Sequence, residues 1–560
     1  MKNEVLHERL EFENMRDLVE RCAVMYSDRV AYSFRVKPSD KEIVKVTFPE
    51  LRDDVRALAS EFLARGYAGK HCVIVGKMCY EWALLYFSLL SAGAVIIPLD
   101  RDWNAVDLAD TAKRAEVDYL FCEKELAEKA EAICKEAEKE VAPIYFDGEG
   151  ETVHTLKAAG ALKFAENSDP YFNYPIDTDV MSIMVFTSGT TGKGKGVMLT
   201  QRAVLSDMAD SIQYIDFSNK TVGVIPPHHT FGSSVMMAGH ASIGSEVYIS
   251  SGLRYIQKEL KEQKPGHLVM VPLYLETFYR KINATLKEQG KDKLVHSLTR
   301  TAFGRFLIRL LKIDKKIKEA FGGELKTVIS GGAALNREIV DFFSAVGITT
   351  LNGYGITECA PIIAVNHSKK NRPGSVGPVL DIDTVKIDEP NEDGEGEICV
   401  KGSNVMLGYF KNEEATAEAF DEEGYFRTGD YGKIGKDGGL YITGRKKNLI
   451  ILSNGKNVYP EEIENELIAV PGILDIVVYE GKSKRGSEYD AIVAEVYPDG
   501  DFVKKNNIED VKAYLQPFVN EYNRNAVPYK KIAILKVRTE EFPKNTLRKI
   551  MRFKLDTTID

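Results

Sequence analysis

Met181–Val197 reads MSIMVFTSGTTGKGKGV, an apolar run followed by glycines, hydroxyl side chains and lysines. The apolar run Met181–Phe186 predicts a buried strand. Glycines let a ligand approach backbone N–H groups closely, hydroxyls add donors, and lysines add positive charge. We therefore expect the loop Thr187–Gly196 to bind a polyphosphate, the alternative being an ordinary surface turn.

Strand-like runs alternate with helical segments on both sides of this loop, which predicts an α/β fold with largely parallel sheets. The runs are Cys72–Gly76, Ala94–Pro98, Tyr119–Cys122, Thr221–Pro226, Leu268–Pro272 and Thr327–Ser330. From about Ser375, short strands and Gly-rich turns predict a small barrel or antiparallel sheet. After Gly444 a further alternation predicts a small α+β domain. We expect an N-terminal domain at 1–444, a hinge at 445–448 and a C-terminal domain at 449–560.

Composition narrows the class of protein. A chain of 560 residues is too long for one hydrophobic core, and its net charge of −9 disfavours nucleic acid as a partner. Seven scattered cysteines without a CxxC pair predict reduced thiols in the cytoplasm and no zinc site. The charged N-terminus lacks the apolar core of an export signal.

Two segments raise the question of membrane contact. Ala83–Leu99 has no charge over 17 residues, but Gly93 and Pro98 interrupt it, which predicts a buried helix, turn and strand. Lys291–Lys318 holds nine Lys or Arg against two Asp. It is either an amphipathic helix at the inner face of an anionic membrane or a core-packed helix with a solvated basic face. Its apolar residues at helical spacing are Phe303, Phe306, Leu307, Leu310, Leu311 and Ile317.

The loop also begins like a Walker A motif, with Gly189 and Gly194 at the motif's spacing before Lys195. That motif requires Ser or Thr next, as a magnesium ligand, whereas this chain has Gly196. No helix starts directly after the loop. A P-loop ATPase and an inactive nucleotide-binding protein are the alternatives from other classes.

Five further segments follow the loop in order. They are ISGGAAL (329–335), NGYGITECAP (352–361), YFRTGDY (425–431), TGRKKN (443–448) and PKNTLRKIMR (543–552). With the loop they resemble the adenylate-forming superfamily of acyl-CoA synthetases, nonribosomal adenylation domains and luciferases, from about Val46 to Arg552. Residues 317–335 and the segment GRKKNLIILSNGKNVYPEEIE look most like bacterial long-chain fatty acyl-CoA ligases.

The resemblance implies an enzyme that uses ATP, Mg²⁺ and coenzyme A. ATP activates a carboxylate to an acyl-adenylate with release of pyrophosphate, and the thiol of coenzyme A then displaces AMP. A medium- or long-chain fatty acid is the expected substrate. Another carboxylic acid, or acyl carrier protein as the acceptor, is the alternative within the superfamily.

The same resemblance assigns roles to named residues. Thr187 and Glu358 would hold Mg²⁺, a cation that prefers hard oxygen ligands. Tyr354 would stack on adenine, Thr357 would contact the α-phosphate, and Asp430 would accept from both ribose hydroxyls, although in TGDYG it could be a plain turn residue. The remaining ATP or AMP contacts are Ser188, Gly189, Thr190, Thr191, Gly192, Lys195, Gly332, Ala333, Ala334, Asn352, Gly355 and Arg445.

The C-terminal motifs carry the remaining predictions. Lys549 is the expected catalytic lysine, because a lysine between carboxylate and α-phosphate neutralises both as they approach. Lys544 and Arg548 are its rivals. Lys447 falls at the family's domain hinge, across which the family rotates between its two steps, or is a plain surface lysine. On the coenzyme A side the candidates are Asn454, Gly455 and Lys456.

Two positions depart from the family pattern, and one histidine has two interpretations. Arg548 stands where the family often has Gly, and Gly194 stands where it often has Pro. His229 in PPHHTFG either contacts the acyl pocket or carboxylate, as the resemblance implies, or packs as a structural histidine.

Overall fold

The chain forms two compact units in a computed structural model that describes residues 5–187, 194–333, 335–452, 457–481, 491–544 and 550–559. The side chain of residue 302 is also left undescribed. The first unit comprises Met1–Ala333, Ile339–Val385 and Val400–Phe426. The second comprises Ala334–Glu338, Lys386–Cys399 and Arg427–Asp560, so it includes segments that precede the predicted hinge at 445–448.

The strands are mostly four to nine residues long, as is usual for globular proteins. In chain order they are β1 Val30–Phe34, β2 Val44–Thr47, β3 His71–Val75, β4 Val95–Leu99, β5 Tyr119–Cys122, β6 Pro143–Tyr145, β7 Met181–Thr187, β8 Lys195–Thr200, β9 Lys220–Gly223, β10 Glu246–Ile249, β11 His267–Met270, β12 Thr327–Ser330, β13 Thr349–Gly355, β14 Ile362–Val365, β15 Asp383–Asp388, β16 Gly396–Gly402, β17 Gly408–Tyr409, β18 Phe426–Ile434, β19 Leu440–Arg445, β20 Ile450–Ile451, β21 Asn457–Val458, β22 Ile473–Gly481, β23 Ala491–Pro498 and β24 Ile534–Val537.

Helices separate many of these strands. They are α1 Met15–Met25, α2 Phe48–Ala64, α3 Tyr80–Ser91, α4 Ala105–Arg114, α5 Ala127–Glu136, α6 Val153–Glu166, α7 Asp169–Asn173, α8 Gln201–Ser211, α9 His240–Ser242, α10 Ile256–Gln263, α11 Pro272–Glu288, α12 Asp292–Thr299, α13 Ala302–Leu310, α14 Ile313–Lys318, α15 Arg337–Ala345, α16 Glu413–Ala419, α17 Pro460–Leu467, α18 Gly500–Lys505 and α19 Val511–Asn525. A π-helix spans Phe231–Gly239.

Three sheets of the first unit are parallel at their centres and antiparallel at an edge. Their strand orders are β17-β8-β7-β4-β3-β5-β6, β2-β1-β10-β9 and β11-β12-β13-β14. The pairs β3–β4, β3–β5, β11–β12 and β12–β13 are parallel, whereas β7–β8 and β13–β14 are antiparallel. The predicted α/β class with largely parallel sheets is therefore confirmed.

A four-stranded sheet of order β15-β16-β18-β19 forms where the sequence predicts a small barrel or antiparallel sheet. In the second unit, β22-β23-β24 form a separate sheet. Its apolar face packs on residues of α17 and α19, including Ile463 and Leu515. This unit thus has its own hydrophobic core, as an independently folding α+β domain requires.

The uncharged run Ala83–Leu99 is part of the core, as predicted. All but one of the residues of α3 are buried, and β4 is buried throughout. Gly93 lies between them with a φ of +73°, a conformation that favours glycine. Outside the gaps named above, no helix is both long and apolar enough to cross a membrane. All seven cysteines are free thiols.

The basic stretch Lys291–Lys318 differs from both of its predicted forms. It folds as three short helices, α12, α13 and α14, rather than one. Of its six apolar residues, Ile317 is buried and Leu307 is half-buried. The core-packed interpretation is wrong for the other four, because Phe303, Phe306, Leu310 and Leu311 are exposed.

Candidate active site

The glycine-rich loop connects two strands of a β-hairpin. β7 pairs antiparallel with β8, and the last pair joins Thr187 to Lys195. Between these strands, Ser188, Gly189, Thr190, Thr191 and Gly192 lie outside the described residues. A Walker A loop leads from a strand into a helix, whereas this loop returns along a second strand before α8 begins. The P-loop interpretation is therefore wrong.

Contacts at the two ends of the loop hold the hairpin in place. The Arg114 guanidinium donates to the Gly194 carbonyl at 2.7 Å and lies 5.2 Å over the Phe186 ring. A Cβ at Gly194 would lie 2.5 Å from the Thr187 carbonyl oxygen, which real Cβ atoms essentially never do. The departure from the family's proline at this position therefore has a steric reason.

Glu358 lies on a short helical turn, Thr357–Cys359, that follows β13. The Tyr409 hydroxyl donates to Glu358 Oε1 at 3.0 Å, and the Met406 N–H donates to the Glu358 carbonyl at 2.8 Å. Burial and the nearby Glu358 charge raise the pKa of Tyr409, so its hydroxyl remains a proton donor. Glu358 is therefore held by Met406 and Tyr409, neither of which was among the site residues predicted from the sequence.

Tyr409 also connects this carboxylate to the loop. It sits on β17, which pairs with β8 so that Tyr409 lies opposite Val197. The Lys195 ammonium lies 4.6 Å from the centre of the Tyr409 ring, within cation–π range. One tyrosine therefore contacts both the end of the glycine-rich loop and Glu358, the expected magnesium ligand. The only sequence signal for it was that residues 401–410 fall within the run of short strands predicted from about Ser375.

The carboxyl ends of β11, β12 and β13 bring the nucleotide-binding candidates together. In parallel sheets, ligands bind at this edge. Asn352 pairs with Ser330 in register, and its Oδ1 is buried and accepts no hydrogen bond from another described residue. Gly332 has a φ of +87°, which favours glycine. A Cβ at Gly355 would lie 1.8 Å from the Pro361 carbonyl oxygen. Tyr354, which follows Asn352 by two residues on β13, is half-buried. Ala333 directly follows Gly332. Ala334 lies outside the described residues.

His229 lies two residues before the π-helix. Its carbonyl accepts from the Ser233 N–H at 2.8 Å, and its ring lies 4.1 Å from the ring of His228. His228 Nε2 is in turn 3.3 Å from the buried carboxylate of Asp100. The predicted contact of His229 with the acyl pocket or carboxylate and its alternative as a packed structural histidine both stay predictions.

In the second unit, Asp430 and Arg445 lie directly opposite each other on β18 and β19. Arg445 Nε lies 2.9 Å from Asp430 Oδ1. The Asp430 side chain is 4% exposed and that of Arg445 is 47% exposed. A buried carboxylate is therefore held by a charged donor that itself reaches the surface.

The hinge and the C-terminal motif are only partly described. Lys447 is on the turn Lys446–Asn448, and partial burial of its ammonium, then the Arg445 charge, lower its pKa. Lys544 forms ion pairs with Asp475 at 2.6 Å and Glu541 at 2.9 Å, and the choice between Lys549 and its rivals stays a prediction. Lys549, Arg548, Asn454, Gly455 and Lys456 lie outside the described residues.

Comparison with known proteins gives one family and several relatives. Residues 19–410 match the family model described as AMP-binding enzyme. A long-chain-fatty-acid–CoA ligase of Mycobacterium bovis is 29% identical over 77% of this chain and 75% of its own length. A chloroplastic long-chain-fatty-acid–[acyl-carrier-protein] ligase of Arabidopsis thaliana is 26% identical over 85% and 75%. The ATP-bound crystal structure of MatB from Rhodopseudomonas palustris superimposes with a TM-score of 0.75 at 24% identity, covering 96% of this chain and 97% of MatB.

Proposed function

The chain belongs to the AMP-binding enzyme family, and from that premise we propose that it is an AMP-forming ligase of a medium- or long-chain fatty acid and coenzyme A. The observation that carries the proposal is the contact of Tyr409 with both Glu358 and Lys195. It couples a hard oxygen ligand to the anchored end of a loop rich in glycine and hydroxyl residues. A site for a metal-bound polyphosphate needs this combination.

The reaction proceeds in two displacements. An oxygen of the substrate carboxylate attacks the α-phosphorus of ATP, the bond from that phosphorus to the bridging oxygen breaks, and pyrophosphate leaves. The sulfur of coenzyme A then attacks the acyl carbon, the bond to AMP breaks, and the thiol proton passes to solvent or a base. Lys549 neutralises the two anions as the first displacement brings them together.

The described residues of the first unit fit ATP. Asn352 Oδ1 is a buried acceptor without a hydrogen-bond partner among the described residues, which suits the exocyclic amino group of adenine. Tyr354 supplies a ring for stacking beside it, and Gly332 and Ala333 supply backbone on the other side. In the second unit Asp430 accepts from the ribose hydroxyls, since a carboxylate can accept from two donors.

The proposed magnesium site consists of a small set of oxygen ligands. The described residues contain no group of three or more His, Cys, Asp or Glu arranged to hold a metal ion. Mg²⁺ is usually held by one or two carboxylates with phosphate oxygens and water. Glu358 and the Thr187 hydroxyl would hold it here, and the ion supplies positive charge to the phosphates.

The acid and the acceptor are proposed from the relatives. Both curated relatives named above are ligases of long-chain fatty acids, one with coenzyme A and one with acyl carrier protein. We take coenzyme A as the acceptor, and acyl carrier protein as the second candidate. The free thiols fit a reducing compartment, so we place the enzyme in the cytoplasm.

Acid-dependent exchange of labelled pyrophosphate into ATP tests the proposal. Exchange should require a fatty acid from a series of graded chain length, and it should be lost in Lys549→Ala but kept in Lys531→Ala. AMP release with coenzyme A, compared with acyl carrier protein, then identifies the acceptor. Absence of exchange with every acid, in a folded protein that binds ATP, contradicts the proposal.

A further inference from the structure

Helix α13 presents an apolar face to solvent. Phe303, Phe306 and Leu310 share one side of the helix, and Leu311 follows at its end, with exposures of 71%, 60%, 64% and 57%. Ile308 lies on the opposite side and is completely buried. The helix is therefore attached to the protein through Ile308 while its larger side chains point away from the core.

Cations flank the residues of this apolar face along the chain. Arg300, Arg305, Arg309, Lys312, Lys315 and Lys316 are all exposed. None of the six forms an ion pair with another described residue. The whole chain has a net charge of −9. These six uncompensated cations, together with exposed aromatic and leucine side chains, therefore form a basic region on an otherwise acidic protein.

We propose that this α13 surface, defined by Phe303, Phe306, Leu310, Leu311 and the six cations, docks on an anionic lipid bilayer. The apolar side chains enter the boundary between headgroups and acyl chains, and the cations contact headgroup phosphates and carboxylates. The proposal rests on α13 itself, whatever acid the enzyme activates.

Charge complementarity favours a bilayer over a second copy of the chain. In a symmetric dimer the same patch meets itself, so the cations of one α13 would face those of the other. Like charges that face each other across such an interface repel. An anionic bilayer supplies both the apolar interior and the opposite charge that this surface lacks.

Vesicle sedimentation of the full chain tests this surface. Binding is expected to vesicles of phosphatidylcholine mixed with phosphatidylglycerol, not to phosphatidylcholine alone, and should weaken as salt is raised. The double variants Phe306→Ser/Leu310→Ser and Arg305→Gln/Arg309→Gln should each bind at least about tenfold more weakly.

Matched controls make the result specific. Leu162→Ser removes a leucine of α6 that is at least as exposed, and Lys41→Gln/Lys45→Gln removes two exposed charges elsewhere. Both variants should bind vesicles as the wild type does. Thermal melts and acid-dependent pyrophosphate exchange show that each variant is folded, and vesicle binding is scored independently of that activity.

Three results would overturn the proposal. They are a folded wild type that does not bind anionic vesicles, α13 variants that bind as the wild type does, and binding that ignores lipid charge and salt. A wild-type dimer that Phe306→Ser/Leu310→Ser converts to a monomer, with vesicle binding unchanged, would assign the surface to a second copy instead.

Discussion

Glu358 of the first unit and Asp430 of the second are both predicted to contact ATP or its metal ion, but the donors that orient the two carboxylates differ. Glu358 accepts from the neutral Tyr409 hydroxyl, whereas Asp430 faces the charged guanidinium of Arg445. A hydroxyl orients a carboxylate without cancelling its charge, and a guanidinium compensates that charge as well. We expect Glu358 to bind a divalent cation and Asp430 to bind neutral ribose hydroxyls, as the family resemblance implies.

The largest effect should come from removing the charge at Glu358. Glu358→Gln keeps the size of the side chain but loses the anionic ligand, so acid-dependent exchange should fall about 10²–10³-fold. The Mg²⁺ concentration for half-maximal rate should rise. The exposed Glu125→Gln serves as the control, and an unchanged Mg²⁺ response would break the comparison.

Asp430→Asn should have the next largest effect, and of a different kind. Losing hydrogen bonds to a charged group should lower kcat/KM for ATP about 10–100-fold, with the Mg²⁺ response unchanged. The wild type should prefer ATP to 3′-deoxy-ATP, and the variant should lose that preference. Asp393→Asn, an exposed acid of the same unit, is the control. If the variant still discriminates against 3′-deoxy-ATP, Asp430 does not contact the ribose.

Tyr409→Phe separates orientation from charge. It removes the 3.0 Å hydrogen bond to Glu358 and keeps the ring beside Lys195, so the exchange rate should fall about 3–10-fold. Its Mg²⁺ requirement should shift in the same direction as in Glu358→Gln, and Tyr409→Leu should lose more because the ring is gone. Tyr255→Phe makes the same change outside the site. A Tyr409→Phe enzyme with wild-type Mg²⁺ dependence would show that the hydroxyl does not position Glu358.

Asp383 extends the comparison to a carboxylate whose donor is an amide. Asn404 Nδ2 donates to Asp383 Oδ2 at 3.1 Å. Burial raises the pKa of Asp383 to about 7, the Asn404 hydrogen bond opposes this, and the Asp210 charge adds to it. Because the folded pKa exceeds that of the unfolded chain, the contribution to stability is present below about pH 4 and is lost as pH rises through 7.

Asp383→Asn should therefore raise the melting temperature by about 2–4 °C at pH 8, with a smaller gain at pH 5. Asn resembles the protonated acid and carries no charge to desolvate. Melts at the two pH values measure the difference, and the exposed Asp28→Asn should show none. A gain that is equal at both pH values would mean that Asp383 does not titrate between them.

Local sequence patterns predicted much of the fold. Tyr119–Cys122 and Thr327–Ser330 match β5 and β12 residue for residue, and Ala83–Leu99 forms the predicted helix, turn and strand. Periodicity predicted the structure of Lys291–Lys318 less accurately. Apolar residues at helical spacing indicate that a helix has an apolar face, but they do not show whether another element covers that face. The predicted hinge at Lys447 and the roles of Lys549 and His229 stay predictions.

The sequence by itself determined the chemical inventory: a loop of glycines, hydroxyls and lysines, and acids within ordered motifs. It did so because loop chemistry and strand patterns depend on near neighbours in the chain. Only the tertiary structure decided which donor orients each acid, since Tyr409 reaches Glu358 across 51 residues through the pairing of β17 with β8. It also decided that the apolar face of α13 is exposed while α3 is buried, because burial depends on which distant elements cover a helix.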